Sequence, residues 1–131
     1  MIRVQSPLPP DVEQLMHDTI GCCIAVHREL GPGLLEKIYS LAVCLELKAA
    51  GIPFEREMLF PVQYRGEILC EQYLDFVVAN QIVLEIKSID RLAPVHHGQI
   101  LNYMRVARLR AGLLINFNVV LLPDGMSRKV L

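Results

Sequence analysis

Apolar residues recur every three or four positions through the first third of the chain, then alternate with polar ones through the middle third. After the proline-rich entry "SPLPP", Asp11 is placed to cap a helix. Its apolar stripe is Val12, Leu15, Met16, Thr19, Ile20, Cys23 and Val26 or His27, running to Leu30. Gly31-Pro32-Gly33 breaks it, because proline disfavours helical geometry at its predecessor and glycine permits the turn. A second helix is predicted from about Leu34 to Ala50, stopped by Gly51 with Pro53 beyond. From Phe54 to Ser88 the segments "FEREMLF", "PVQY", a turn at Arg65-Gly66, "ILCEQYLDFVV" and "IVLEIKS" predict three or four antiparallel strands. Pro94 opens a third helix, "PVHHGQILNYMRVARLR". Val95, Ile100, Tyr103, Met104 and Ala107 form its stripe, and Gly112 is its expected end. "GLLINFN" and "VVLLPDGMSRKVL" supply one or two closing strands around Pro123-Asp124-Gly125. The order α, α, β, β, β, α, β, β predicts an α/β or α+β sheet with helices packed on it.

Composition narrows this picture to one domain over residues 1–131, with one core and one site: 131 residues, 53% apolar, 21% charged, with no repeat or low-complexity segment. No apolar run approaches the roughly 18–20 residues of a membrane span, and "MIRVQSPLPPDVEQ" has no signal-like apolar core, so a cytoplasmic protein without a membrane partner is expected. Cys22, Cys23, Cys44 and Cys70 have neither C-x-x-C nor zinc-site spacing and read as small core residues. A mean hydropathy of +0.36 is high for so short a chain and points to a homodimer or a protein partner. The net charge of −1 conceals an asymmetry. Residues 1–85 hold 6 Lys/Arg against 12 Asp/Glu, and residues 86–131 hold 7 against 2. Arg105, Arg108, Arg110, Arg128 and Lys129 are therefore either scattered surface charges or a patch that faces phosphates.

The stretch "YLDFVVANQIVLEIKS", residues 73–88, carries charges inside β-branched runs. Val83, Glu85 and Lys87 share one strand face, Ile82, Leu84 and Ile86 the other, and Asp75 belongs with Tyr73 and Val77. A two-residue loop at Ala79-Asn80 sets Asp75 opposite Leu84, whereas a three-residue loop, Ala79 to Gln81, sets it opposite Glu85. The longer loop is favoured, because Ala79 is poorly suited to positive φ. Two opposed carboxylates then need a positive partner, and Lys87 or a divalent cation such as Mg²⁺ fits. A simple solvated sheet face explains the same charges without chemistry. Two further pairs share helix faces: Glu36 with Tyr39 in "GLLEKIY", and Gln99 with Tyr103 in "QILNY". The Gln99–Tyr103 pair also reads as ordinary core or boundary residues. His96 and His97 point about 100° apart on a helix, so both seldom reach one ion; His97 alone could stand near the site.

Gly33-x-x-Glu36-x-x-Tyr39, Asp75, Glu85-x-Lys87, Gln99-x-x-x-Tyr103, "GLLINFN" and Gly125-x-x-Arg128 occur in that order. Together they resemble the GxxExxY proteins, a bacterial and archaeal family of the PD-(D/E)XK nuclease superfamily, over residues from about 12 to 130. The resemblance implies an α/β restriction-endonuclease-like core, a mixed β-sheet flanked by helices. It also implies that Asp75, Glu85, the Ile86 backbone carbonyl and Glu36 hold Mg²⁺ or Mn²⁺, and that Lys87 polarises the attacking water. Tyr39, Gln99 and Tyr103 would support the site, with Arg105 and Arg128 on phosphates. Leu74 stands where the signature has proline, which the superfamily often lacks. The implied function is metal-dependent hydrolysis of nucleic-acid phosphodiester bonds. The rival is a non-catalytic module that keeps the fold and binds nucleic acid or protein.

Overall fold

Pro10 begins the first helix at the position where a missing N–H does no harm, so α1 spans Pro10–Leu30 in the computed structural model, which describes residues 7–131. Asp11 is therefore not the cap. It lies in the first turn with Glu13, favourably placed against the helix dipole. Gly31, at φ 66°, ends α1, and α2 spans Glu36–Ala49. The strands are β1 (Phe54–Tyr64), β2 (Glu67–Val78) and β3 (Ile82–Lys87). Helix α3 (Pro94–Ala107) leads to β4 (Ala111–Asn116), and a single closing strand, β5 (Met126–Val130), follows a 3-10 turn at Leu122–Gly125. Helix α3 stops at Arg108, which takes the left-handed conformation at φ 58°. Gly112 is thus not a helix stop. It lies inside β4, where an added Cβ would sit 2.5 Å from Met104 Sδ, so glycine lets α3 close onto the sheet.

The five strands run in the order β1-β2-β3-β4-β5. All neighbours are antiparallel except β3 and β4, whose parallel pairing requires the α3 crossover. Helices α1 and α2 cover one face through Met16, Cys23, Val26, Tyr39, Val43 and Leu47. On the other face, α3 packs Ile100, Tyr103 and Met104 against Leu74, Val77, Val83 and Leu114. No helix among the described residues is long and apolar enough to cross a membrane. All four cysteines are free; Cys22, Cys23 and Cys44 are buried as expected, but Cys70 is exposed.

The β1–β2 ribbon extends well past the rest of the sheet, leaving Leu59, Ile68, Leu69 and Tyr73 exposed. Nearer the core, its alternation breaks. Phe54 and Phe76 pack with α1 and α2, whereas Met58, Phe60 and Leu74 pack with α3. Strict period-2 geometry would keep Phe54 with Met58, and Leu74 with Phe76. The switch falls at Glu57, which has φ 53°, and at Asp75, the only positions skipped between the pairs Arg56↔Phe76 and Met58↔Leu74. Asp75 is therefore not a regular member of a face shared by Tyr73 and Val77. It sits at a kink.

Candidate active site

The kink at Asp75 is also where β2 leaves β3. Their ladder has three pairs, Val78↔Ile82, Val77↔Val83 and Phe76↔Leu84, so the connection is the three-residue loop Ala79 to Gln81 and Asp75 comes level with Glu85. Beyond Leu84, β3 continues against β4 alone, and the backbone donors facing the fork need other acceptors. The carboxyls supply them. Glu85 Oε1 accepts the Asp75 N–H at 3.0 Å, and Asp75 Oδ2 accepts the Ile86 N–H at 2.9 Å. The charges in the hairpin thus occupy the place of the missing backbone ladder.

Glu85 is 3% exposed, and Asp75 is half-buried. Burial first, and then the Asp75 charge, push the Glu85 carboxyl well above the usual carboxylate range. The two carboxyls also meet side chain to side chain, a contact that requires a proton between them when no cation is present. Lys87 forms no ion pair with either. Its Nζ donates to Gln99 Oε1 at 3.2 Å, which fixes the ammonium beside the pair, and its charge lowers the affinity of both Glu85 and Glu36 for protons. Burial, then the charges of Glu85 and Asp75, raise the Tyr103 pKa, which Gln99 beside it lowers. Helix α3 therefore delivers Gln99 and Tyr103 to the sheet face that carries Glu85 and Lys87.

From the opposite side, α2 brings Glu36. Its carboxyl is raised by burial and then by Asp75, so it feels the pair's field while remaining exposed on the helix's first turn. Among the described residues no group of three or more His, Cys, Asp or Glu is arranged to hold a metal, so Glu36 stands beside the acid pair rather than inside a three-acid cluster. Tyr39 is fully buried and works on the backbone. It stacks on Phe117 with ring centroids 4.6 Å apart, donates to Gly31 O at 2.5 Å and accepts from Leu34 N at 3.2 Å. It thereby holds the loop that presents Glu36. Tyr39→Phe should lower stability by about 1–3 kcal/mol, because both backbone groups lose a buried partner; an unchanged melting temperature contradicts that role.

Four of the five basic residues each have a partner of their own. Arg128 bonds Glu13 of α1 at 2.6 Å, three strands away from β2, and so stands apart from the acid pair. Lys129 meets His97 Nδ1 at 2.7 Å, and Arg110 Nε donates to the Leu131 carbonyl at 2.9 Å. Arg105 alone lies near the site, in a groove lined by Gln72, Gln99, Asn102 and Tyr103. His96 accepts the Ala93 N–H at 2.8 Å as a helix cap, and with His97 engaged by Lys129 the histidine pair forms no ligand set.

Two positioning residues have no role assigned from the sequence, although Asn116 lies within "GLLINFN". Ser88 Oγ donates to Leu34 O at 2.5 Å and ties the end of β3 to the loop before Glu36. Asn116, 2% exposed, bonds both backbone groups of Ile89 and holds the chain leaving Lys87. The only hint was the paired asparagines of "INFN" at a strand end.

A mixed sheet whose antiparallel hairpin carries an acid pair and a lysine against a crossover helix defines a nuclease-type α/β fold. The chain belongs to the PD-(D/E)XK nuclease superfamily, whose sequence profile matches residues 13–129. No curated protein and no solved structure matches it.

Proposed function

We propose that this chain is a metal-dependent nuclease of the GxxExxY type, hydrolysing nucleic-acid phosphodiester bonds in the cytoplasm. The observation that carries the reading is the fork. Asp75 and Glu85 are drawn together by reciprocal backbone bonds into a pair, Glu85 buried and Asp75 half-buried, that repels itself unless a proton or a cation lies between them. A protein gains nothing structural from that repulsion.

Oxygen donors that fill only part of a shell suit Mg²⁺ or Mn²⁺, which keep waters and accept phosphate oxygens. Asp75, Glu85 and the Ile86 carbonyl would hold the ion, and Glu36 would hold or orient one of its waters. Bound there, the ion supplies an acidified water and charge neutralisation at the phosphoryl group. Lys87, kept straight by Gln99, presents a fixed positive charge where negative charge grows in the transition state. Tyr103 lines the α3 groove beside Gln99, and Arg105 contacts the substrate strand along it.

Calorimetric titration of Mn²⁺ in two buffers of different ionisation enthalpy tests this. Binding should release a proton from the acid pair and should vanish in Asp75→Asn. Absence of any Asp75-dependent binding would favour the non-catalytic module.

A further inference from the structure

On the α2 side of the fork lies a cavity of about 270 Å³, lined by Glu36, Lys37, Ser40, Arg56, Glu57 and Asp75. We propose that Arg56 is the phosphate anchor of this cavity, taking a non-bridging oxygen of a nucleic-acid phosphodiester group beside Asp75. The proposal rests on the nuclease reading and adds to it a binding residue outside the hairpin and its supporting helices.

Arg56 Nε is the only buried side-chain nitrogen or oxygen among the described residues without a hydrogen-bond partner. Native chains rarely leave such a donor unsatisfied, so the guanidinium is not placed there to bond the chain itself. Carboxylates are close at hand. Glu36, Glu57 and Asp75 line the same cavity, yet none pairs with Arg56, and the one ion pair among the described residues is Arg128 with Glu13. The guanidinium is held in place, with its carbon 5.6 Å from the centroid of the Phe76 ring. The kink keeps it there. Because the ribbon changes face at Glu57, Arg56 lies on the α2 side while its neighbour Met58 packs towards α3. Nε itself is out of a ligand's reach, but the terminal nitrogens of this immobilised, unpaired guanidinium are not buried, and their fork can bind a tetrahedral oxyanion through more than one oxygen. Lys37, on the same cavity wall, adds a second cation, and Lys87 flanks the acid pair on its other side. A phosphodiester set against Asp75 is thereby met by positive charge from β1, α2 and β3.

The test follows arginine Nε–Hε resonances by ¹H–¹⁵N NMR on the full chain, with the Arg56 signal assigned from Arg56→Lys. Short single-stranded DNA and RNA oligonucleotides, and inorganic phosphate, are titrated into wild type and into Asp75→Asn, where anion repulsion is reduced. The Arg56 signal should shift and saturate with at least one oligonucleotide. Arg56→Lys should weaken that oligonucleotide's binding about tenfold in fluorescence anisotropy, with an unchanged melting temperature. An Arg56 signal unmoved by every probe, or undiminished binding by Arg56→Lys, overturns the proposal and assigns Arg56 to packing on Phe76. The two readings fail separately. Binding through Arg56 without cleavage in Mg²⁺ or Mn²⁺ removes the nuclease reading alone, and cleavage undiminished in Arg56→Lys removes the phosphate anchor alone.

Discussion

Asp75→Asn should reduce metal-dependent cleavage by about 10²–10³-fold or more, the scale seen when one preorganised electrostatic group is removed from a reacting centre. The substitution is isosteric. The asparagine Oδ1 can still accept the Ile86 N–H, and the amide can donate to Glu85, replacing the proton that joins the two carboxyls. The fold therefore survives, and the loss is chemical rather than structural. Circular dichroism and thermal melting should match wild type while activity collapses; an active Asp75→Asn protein removes Asp75 from the reaction.

Glu85→Gln is expected to stabilise the protein at neutral and alkaline pH while abolishing metal binding. The Glu85 carboxyl is raised from its ordinary 4.5 to about 9, by burial first and then by Asp75. A raised acid binds more protons folded than unfolded, so its share of the stability is present below about pH 4.5 and is lost as pH rises towards 9. Glutamine mimics the protonated acid and escapes that loss. At pH 8 the variant should melt higher than wild type, on the order of 5 °C, and the gap should close towards pH 4.5. Saturating Mn²⁺ should raise the melting temperature of wild type and leave that of Glu85→Gln unchanged. A gap that does not narrow on acidification contradicts the linkage.

Much of this site was legible from residue types and periodicity, because local patterns sufficed. The switch from helical to alternating spacing placed Glu36 on α2, Glu85 and Lys87 on one face of β3, and Gln99 with Tyr103 on one face of α3. The three-residue loop was also correctly expected, but for a reason that fails. Ala79 and Asn80 both take positive φ, 48° and 56°. The Ala79 N–H is held by Pro53 O at 2.7 Å, a tertiary bond that offsets what local propensity disfavours. The kink at Glu57 and Asp75 had no glycine or proline to announce it. It arises from the need to bury Phe54 and Phe76 on one face and Met58, Phe60 and Leu74 on the other. The pairing of Arg128 with Glu13 was not foreseen for a related reason. The position of Arg128 on β5 opposite Leu113, on the face covered by α1, depends on long-range register that spacing along the chain does not encode.

The central claim is that the Asp75–Glu85 fork and Lys87 hydrolyse phosphodiester bonds with a divalent cation. Its most direct test is cleavage of a mixed panel of labelled single- and double-stranded DNA and RNA by purified wild-type protein, with Mg²⁺ or Mn²⁺ against EDTA. The account predicts cutting that EDTA stops and that Asp75→Asn and Lys87→Ala each abolish. Cutting that persists in EDTA or in Asp75→Asn, or no cutting by a wild type that also binds no metal, contradicts it.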